Sequence, residues 1–170
     1  MKRQAEGRVN ATVKVSNVAP AIDKTSWSAS TISEGGSVTI TGTYSDPGDN
    51  DKQTIVITWG DGQTSNAMVD YASKTFTASH QYLDDNPTGT ASDSYSVSIT
   101  ATDDNGGTVT ADGGIVVVNN VLPGFAKDSV GLWTVEATPK LTTTVDENGF
   151  VELRGKIEDA GGQDTHIVTI

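Results

Sequence analysis

The sequence predicts an all-β protein, an antiparallel β-sandwich that belongs to a tandem array. Thr, Ser, Gly, Val and Asp are abundant, while the helix formers Leu, Met, Glu and Lys are scarce, as is typical of short strands and polar turns. Apolar residues alternate with period two in several short runs, and no segment keeps a helical period of 3.6. Two stretches also recur as second copies, which is typical of repeats.

One stretch, residues 55–62, predicts the central strand and the turn that ends it. Ile55, Ile57 and Trp59 alternate with polar or smaller residues, so they share one face of a strand. The Gly-Asp-Gly sequence that follows favours a sharp reversal, because glycine accepts positive φ and Asp61 can bond its own backbone. We therefore expect Trp59 in the core and a tight turn after it.

Seven short strands separated by turn residues are expected around this one, and their number favours a sandwich. The first strand is only weakly specified by its sequence pattern. The second alternates through Val38 and Ile40, and the third follows a very acidic loop. The sixth alternates through Tyr95 and Val97, and the seventh is rich in Val. The expected strands are 27–32, 37–44, 54–59, 63–69, 74–80, 94–102 and 108–118.

Two internal matches indicate repeats. A Val-rich strand that runs into an Asn-X-X-Pro sequence occurs before Pro20 and again before Pro123. A second pattern recurs at an offset about ten residues longer than that of the first: Glu34, Gly36, Gly42, Asp46 and Gly48 match Glu147, Gly149, Gly155, Asp159 and Gly161. The alternative, two unrelated Val-rich strands each followed by proline, stays open for the first match.

The repeat predicts four parts of the chain. Residues 1–7 are expected to be a tag or a disordered start, and 8–17 the last strand of a preceding repeat. Residues 18–122 form one complete sandwich, and 123–170 are the N-terminal half of a following repeat, ending on a strand at 167–170. Since a half-sandwich leaves an unpaired edge, we expect the chain to be a fragment or to be completed by another chain.

Composition excludes several classes of partner. The formal net charge of −11 argues against nucleic acid and against anionic membranes, because both attract basic patches. No apolar run approaches the roughly 18 residues of a membrane span, so no membrane insertion is expected. Cysteine is absent, which removes disulfides and thiolate metal sites, whereas clustered carboxylates allow divalent cations.

Three motifs in order resemble the PKD (polycystic kidney disease) domain family: Trp-Gly-Asp-Gly at 59–62, Ser-His-Gln-Tyr at 79–82, and a Tyr-X-Val strand ending in Asp-X-X-Gly within 95–107. The likeness covers about 18–122, with a longer loop at 83–93 than is usual for the family. It implies an immunoglobulin-like sandwich that serves as an extracellular spacer or adhesion module, often repeated and sometimes bound to calcium. The acidic loop and linker also resemble those of giant bacterial surface adhesins.

Acidic segments at one pole of the predicted sandwich form a candidate calcium site. The loop after the second strand and the loop before the last one lie at the end where the linker enters, and calcium takes six to eight oxygen ligands. The alternative is a solvated pole of turn formers. The candidate ligands are Asn17, Asp46, Asp49, Asp51, Asp103 and Asp104. Asp159 and Asp164, with Asn120 from the linker, would repeat the arrangement in the next unit.

Other candidates are weaker. Asp61 and His80, next to Ser79, invite a hydrolase interpretation, but a nucleophile motif and an oxyanion loop are missing. We therefore expect Asp61 to cap the turn and His80 to form a hydrogen bond with the backbone at a strand end. The Asp84-Asp85 pair is expected in a solvated loop, with a second ion or a partner as the alternative. Two tryptophans, Trp27 and Trp133, are expected near junctions, where interdomain packing is favoured over stacking on sugars.

The sequence thus predicts a non-catalytic structural or adhesive repeat of a large secreted or cell-surface protein, stiffened by calcium at its junctions. The expected partners are neighbouring repeats, other copies of the chain in a fibre, and a surface glycan or protein. Two alternatives stay open. One is a polysaccharide- or protein-binding accessory module of a secreted hydrolase. The other is a subunit of an extracellular filament that neighbouring chains complete.

Overall fold

The computed structural model describes residues 11–48, 50–85 and 89–170, and all regular structure in these ranges is β-strand. No helix in them is both long and apolar enough to cross a membrane. The strands are β1 (Ala21–Trp27), β2 (Thr31–Ser33), β3 (Ser37–Ser45), β4 (Thr54–Thr58), β5 (Thr64–Asn66), β6 (Met68–Asp70), β7 (Thr75–Gln81), β8 (Ser92–Thr102), β9 (Thr108–Asn119), β10 (Gly124–Phe125), β11 (Gly131–Thr134), β12 (Val151–Arg154) and β13 (Ile157–Glu158).

Two sheets form the sandwich, which confirms the predicted all-β class and the β-sandwich. One sheet has the order β1-β3-β7-β6, with antiparallel neighbours throughout. The other has the order β2-β9-β8-β4-β5, in which the short β2 runs parallel to β9 and the other pairs are antiparallel. Since β3 and β8 run the length of the sandwich, the loops at their ends collect at two opposite poles.

The core lies between the sheets and follows the alternation in the sequence. Ile55, Ile57 and Trp59 are buried, with Trp59 and Ile57 at 0% exposure, as the central stretch predicts. The aromatic residues Phe76, Tyr82 and Tyr95 belong to the same core, and the rings of Tyr82 and Tyr95 stack on one another. The aliphatic part of the core also includes Val38, Ile40, Val97, Ile99, Val116 and Val118.

The predicted strands 27–32 and 63–69 are wrong in their bounds because the chain changes sheets inside them. The first strand lies earlier, at β1, and the chain crosses at residues 28–30 to add β2 to the second sheet. The predicted strand 63–69 is divided at Ala67 between β5 in one sheet and β6 in the other. A side-chain pattern records which residues are buried, but it does not record which sheet supplies the hydrogen bonds.

The two flanking parts contain less regular structure than predicted. Residues 11–20 and 159–170 form no strand, so the expected strands at 8–17 and 167–170 are not found in the described residues. A strand needs a hydrogen-bonded neighbour, and no described strand pairs with either segment. After the sandwich, β10 pairs with β13 and β11 with β12. The division of the chain into repeats stays a prediction.

Candidate metal sites

The predicted acidic pole exists, and it brings together three carboxylates that we call the first cluster. Asp46 follows β3, Asp51 lies in the loop to β4, and Asp103 follows β8. One carboxylate oxygen from each lies within 4.8 Å of the others. Asp46 is 6% exposed and Asp103 4% exposed, so two of the three carboxylates are largely removed from water.

Asn17 connects the entering segment to this cluster. Its Nδ2 donates a hydrogen bond of 2.9 Å to Asp103 Oδ2, while the backbone N–H groups of Asn105 and Gly107 donate to Asp103 Oδ1 at 2.9 and 2.8 Å. The Asn17 hydrogen bond is the largest cause that lowers the pKa of Asp103, because it stabilises the ionised form. Asp103 is therefore held as a carboxylate.

The remaining predicted ligands differ in position. Asp46 accepts hydrogen bonds from Gly48 N and Gln53 Nε2 at 2.8 and 3.0 Å. Burial, followed by the nearby charge of Asp104, raises the pKa of Asp51. Asp104 itself is exposed and lies outside the group of three, where it accepts a hydrogen bond from Asn105. Asp49 lies outside the described residues.

Glycine makes room for the carboxylates of the first cluster. A Cβ on Gly48 would lie 2.5 Å from Asp51 Cγ and closer still to its Oδ2. A Cβ on Gly107 would overlap Asp103 Oδ2 and would lie 2.8 Å from Asn17 Nδ2. Because such overlap is impossible in a packed structure, the shape of this pole depends on two positions without side chains. The all-oxygen donor set and this cradle fit a calcium ion.

At the opposite pole, residues from both sides of Pro123 form a second cluster: Glu34, Asp84, Asp85 and Asp164. One carboxylate oxygen from each lies within 4.8 Å of the others. Glu34 is 4%, Asp84 9% and Asp85 3% exposed. The prediction of a solvated loop is therefore wrong for Asp84 and Asp85, because the segment around Gln163 covers them and donates its backbone N–H to Asp84 Oδ2 at 2.9 Å.

Several buried oxygens around the second cluster lack a hydrogen-bond donor in the described structure. Glu34 Oε1 accepts a 2.6 Å bond from Val121 N, but Glu34 Oε2 and Asp85 Oδ2 accept none. Asn120 Oδ1 and both carboxylate oxygens of Asp159 also accept no hydrogen bond in the described structure. His166 Nε2 lies 3.3 Å from Asp159 Oδ2. Asn120, Asp159 and Asp164 are the residues that the repeat predicts as a second set of ligands.

Electrostatics distinguishes the two poles. Burial is the largest cause that raises the pKa of Glu34, Asp85 and Asp164, and the neighbouring carboxylates raise each of them further. In the first cluster the surrounding donors instead lower the pKa of Asp103. The difference between the poles is thus confined to Asp103, because the pKa of Asp51 in the first cluster is raised as well.

Asp61 and His80 lie near one another, as the sequence indicates. His80 Nε2 is 2.7 Å from Asp61 Oδ2, and the imidazole stacks on Trp59 with 4.8 Å between ring centroids. Asp61 Oδ1 also accepts from Gln63 N, so Asp61 caps the turn. Ser79 neighbours His80 on β7 and therefore points to the other face, where its hydroxyl bonds Thr39 at 2.8 Å. Ser79 is not placed as a nucleophile for this pair.

The two tryptophans considered for sugar binding are both half-buried. Trp27 donates from Nε1 to Gly113 O at 2.8 Å and packs edge-on against Trp59. The guanidinium of Arg154 lies 5.6 Å from the centroid of the Trp133 ring. Packing and a cation–π contact therefore occupy surfaces that a sugar would need.

The sequence matches no protein-family model and no curated protein sequence. Among solved structures, the chain is similar to the PKD domain of an M14-like peptidase from a Thermoplasmatales archaeon, with 23% sequence identity and a TM-score of 0.46. The match covers 61% of this chain and 97% of that chain. Similarity at this level concerns the fold only, so the functional proposals rest on the residues of this chain.

Proposed function

We propose that the chain is a non-catalytic spacer or accessory module of a larger secreted or cell-surface protein, and that calcium at the first cluster orders its entering segment. One observation carries the proposal: Asn17, which precedes the sandwich, meets Asp103 within a group of three carboxylates from two separate loops. A cation bound there would join the entering segment to the sandwich and restrict rotation at the junction. The function is mechanical, since the module would set the distance and angle between its neighbours.

Calcium fits this cluster better than magnesium or zinc. Carboxylate and amide oxygens are the ligands that calcium prefers, whereas zinc favours His and Cys, and magnesium keeps most of its waters in a strict octahedron. The hydrogen bonds to Asp46 and Asp103 do not prevent coordination, because each carboxylate has about four lone-pair positions. The amide of Asn17 can also present its oxygen to an ion after a half-turn about its last bond.

A calcium titration followed by thermal melting tests this proposal. Wild-type chain should melt at a higher temperature in millimolar calcium, because a ligand that binds only the folded state stabilises it. Asp46→Asn combined with Asp103→Asn should remove the part of the shift that belongs to this site. Asp112→Asn is the matched control, because Asp112 is exposed, accepts a local bond from Gly114 N at the irregularity in β9 and is not a member of the cluster. An unchanged calcium response in the double variant would refute the site.

A filament subunit is a second candidate function, favoured by the apolar surface of the part that follows the sandwich. Leu132, Leu141 and Phe150 are 43%, 65% and 80% exposed. In a fibre, strands of a neighbouring copy would cover such side chains. Sedimentation velocity over a wide range of concentrations tests this: the filament requires growth to high mass, and a monomer at every concentration would exclude it.

A further inference from the structure

The second cluster combines a dense negative charge with deep burial, and this combination is unfavourable without a cation. Glu34, Asp84 and Asp85 come from the sandwich, and Asp164 and Asp159 from the segment after Pro123. Taking ionised carboxylates out of water is strongly unfavourable unless they are paired. His166 Nε2 lies 3.3 Å from Asp159 Oδ2, beside the four carboxylates of the cluster and not among them.

Buried oxygens without a hydrogen-bond donor provide the independent sign of a ligand. Glu34 is more than nine-tenths buried, and its Oε2 accepts no hydrogen bond in the described structure. This atom faces the other carboxylates: a Cβ on Gly161 would lie 2.5 Å from Glu34 Oε2 and 2.8 Å from Asp164 Oδ2. Asp85 Oδ2 is likewise buried without a donor. Native proteins rarely leave such atoms unsatisfied, so a bound species is expected between them.

We infer that a second calcium ion binds between the sandwich and the segment after Pro123, with Glu34, Asp84, Asp85 and Asp164 as its carboxylate ligands and Asp159 and Asn120 beside them. The site consists of oxygen donors, and a set of this size suits the six to eight ligands of calcium. It lies at the pole opposite the first cluster and shares no residue with it. The inference therefore stands or falls separately from the proposed function.

The ion would fix the following segment onto the sandwich. That segment has only short two-stranded pairs and many exposed apolar side chains. Its described contacts with the sandwich include Gln163 N to Asp84 Oδ2. The linker just before Pro123 is held in the same way, by Val121 N to Glu34 Oε1, so carboxylates of the second cluster make both bonds. Calcium would hold these carboxylates in place, and its removal would leave them to repel one another. The order of residues 123–170 thus becomes calcium-dependent.

Glu34→Gln is the most specific variant for testing the second calcium site in the whole chain. Glutamine keeps an oxygen that can accept from Val121 N, and it replaces the donor-free oxygen with an amide that can donate to Asp164. It should therefore fold without calcium at least as well as wild type. The matched control is Glu147→Gln, which makes the same chemical change at the repeat-equivalent position, where the side chain is exposed.

The experiment combines calorimetric titration with limited proteolysis, in calcium and in chelator. Wild type and Glu147→Gln should bind two calcium ions, and calcium should protect residues 123–170 from cleavage at least tenfold. Glu34→Gln should bind one ion and lose the protection from cleavage. The double variant Asp46→Asn with Asp103→Asn should lose the other ion and keep the protection. Asp164→Asn should reproduce the Glu34→Gln result.

Three outcomes would overturn the inference. One is that both Glu34→Gln and Asp164→Asn bind two calcium ions, with residues 123–170 protected as well as they are in the wild type. Another is a single binding event in wild type that only the first-cluster variant removes. The third is equal protection by magnesium at the same concentration, which would contradict the assignment to calcium. Failure of the first-cluster variant alone would refute the proposed function and leave the second site intact.

Discussion

Alanine at Gly48 should weaken calcium binding at the first cluster without unfolding the protein. The added Cβ would lie 2.5 Å from Asp51 Cγ, whereas Cβ atoms essentially never approach other atoms closer than 3.0 Å. Asp51 is a short side chain in a loop, so its carboxylate can swing away at little cost. A calcium–oxygen bond of about 2.3–2.6 Å does not survive such a displacement. The substitution therefore removes one ligand while it leaves the core untouched.

The expected loss of calcium affinity is roughly 10- to 100-fold, the range typical of disturbing a residue that orients or completes a metal site. The calcium-free melting temperature should change by no more than about 2–4 °C, because a surface substitution in a chain of this size alters stability by under about 1 kcal/mol. Calorimetric titration measures the first quantity and circular dichroism the second. Gly89→Ala is the control, since a Cβ there would meet nothing within 4 Å.

An unchanged calcium affinity in Gly48→Ala would refute this reasoning, because the displaced carboxylate would then not be a ligand.

The repeat supplies a second form of the same test. Gly161 is the equivalent position of the second cluster, where a Cβ would meet Glu34 Oε2 and Asp164 Oδ2, whereas Gly162 is open. Gly161→Ala should therefore reduce the second binding event, and Gly162→Ala should not.

Two further predictions concern stability. Because the pKa values of Glu34 and Asp85 are raised in the calcium-free fold, that fold binds more protons than the unfolded chain. Their contribution to stability is therefore greatest below about pH 4 and falls as pH rises through the raised pKa values. Melting in calcium-free buffer should show this trend less strongly in Glu34→Gln than in wild type; equal slopes would contradict it. Separately, Tyr82→Phe removes a buried 2.8 Å hydrogen bond to Trp59 O and should cost about 1–3 kcal/mol by denaturant titration. Tyr71→Phe, whose bond to Gln53 O is 3.4 Å long, is the control and should cost under about 0.5 kcal/mol; equal losses would contradict the role of Tyr82.

The sequence predicted those features of the fold that depend on side-chain periodicity. The alternation through Ile55, Ile57 and Trp59 identified a buried face, and the burial of all three confirms it. Periodicity did not reveal that the chain changes sheets after Trp27 and at Ala67, because the hydrogen bonds that decide this come from distant strands.

The candidate sites show a similar limit. Asp46, Asp51 and Asp103 were predictable because each follows or precedes a recognisable strand, and loops at the same end of a sandwich meet. Glu34 was missed: it marks the repeat in the sequence, but its role at the second cluster depends on contacts with Val121 and Asp164, far along the chain. The signal in the sequence is an acidic residue in the short turn between two strands, at a position that the repeat keeps as Glu147.

Calcium at the two poles is the central claim, and X-ray diffraction from crystals grown in millimolar calcium, recorded at a wavelength where calcium scatters anomalously, tests it most directly. We expect anomalous peaks at both poles, about 2.3–2.6 Å from carboxylate oxygens of Asp46 and Asp103 at one pole and of Glu34 and Asp164 at the other. Well-ordered carboxylates at both poles without an anomalous peak would contradict the claim.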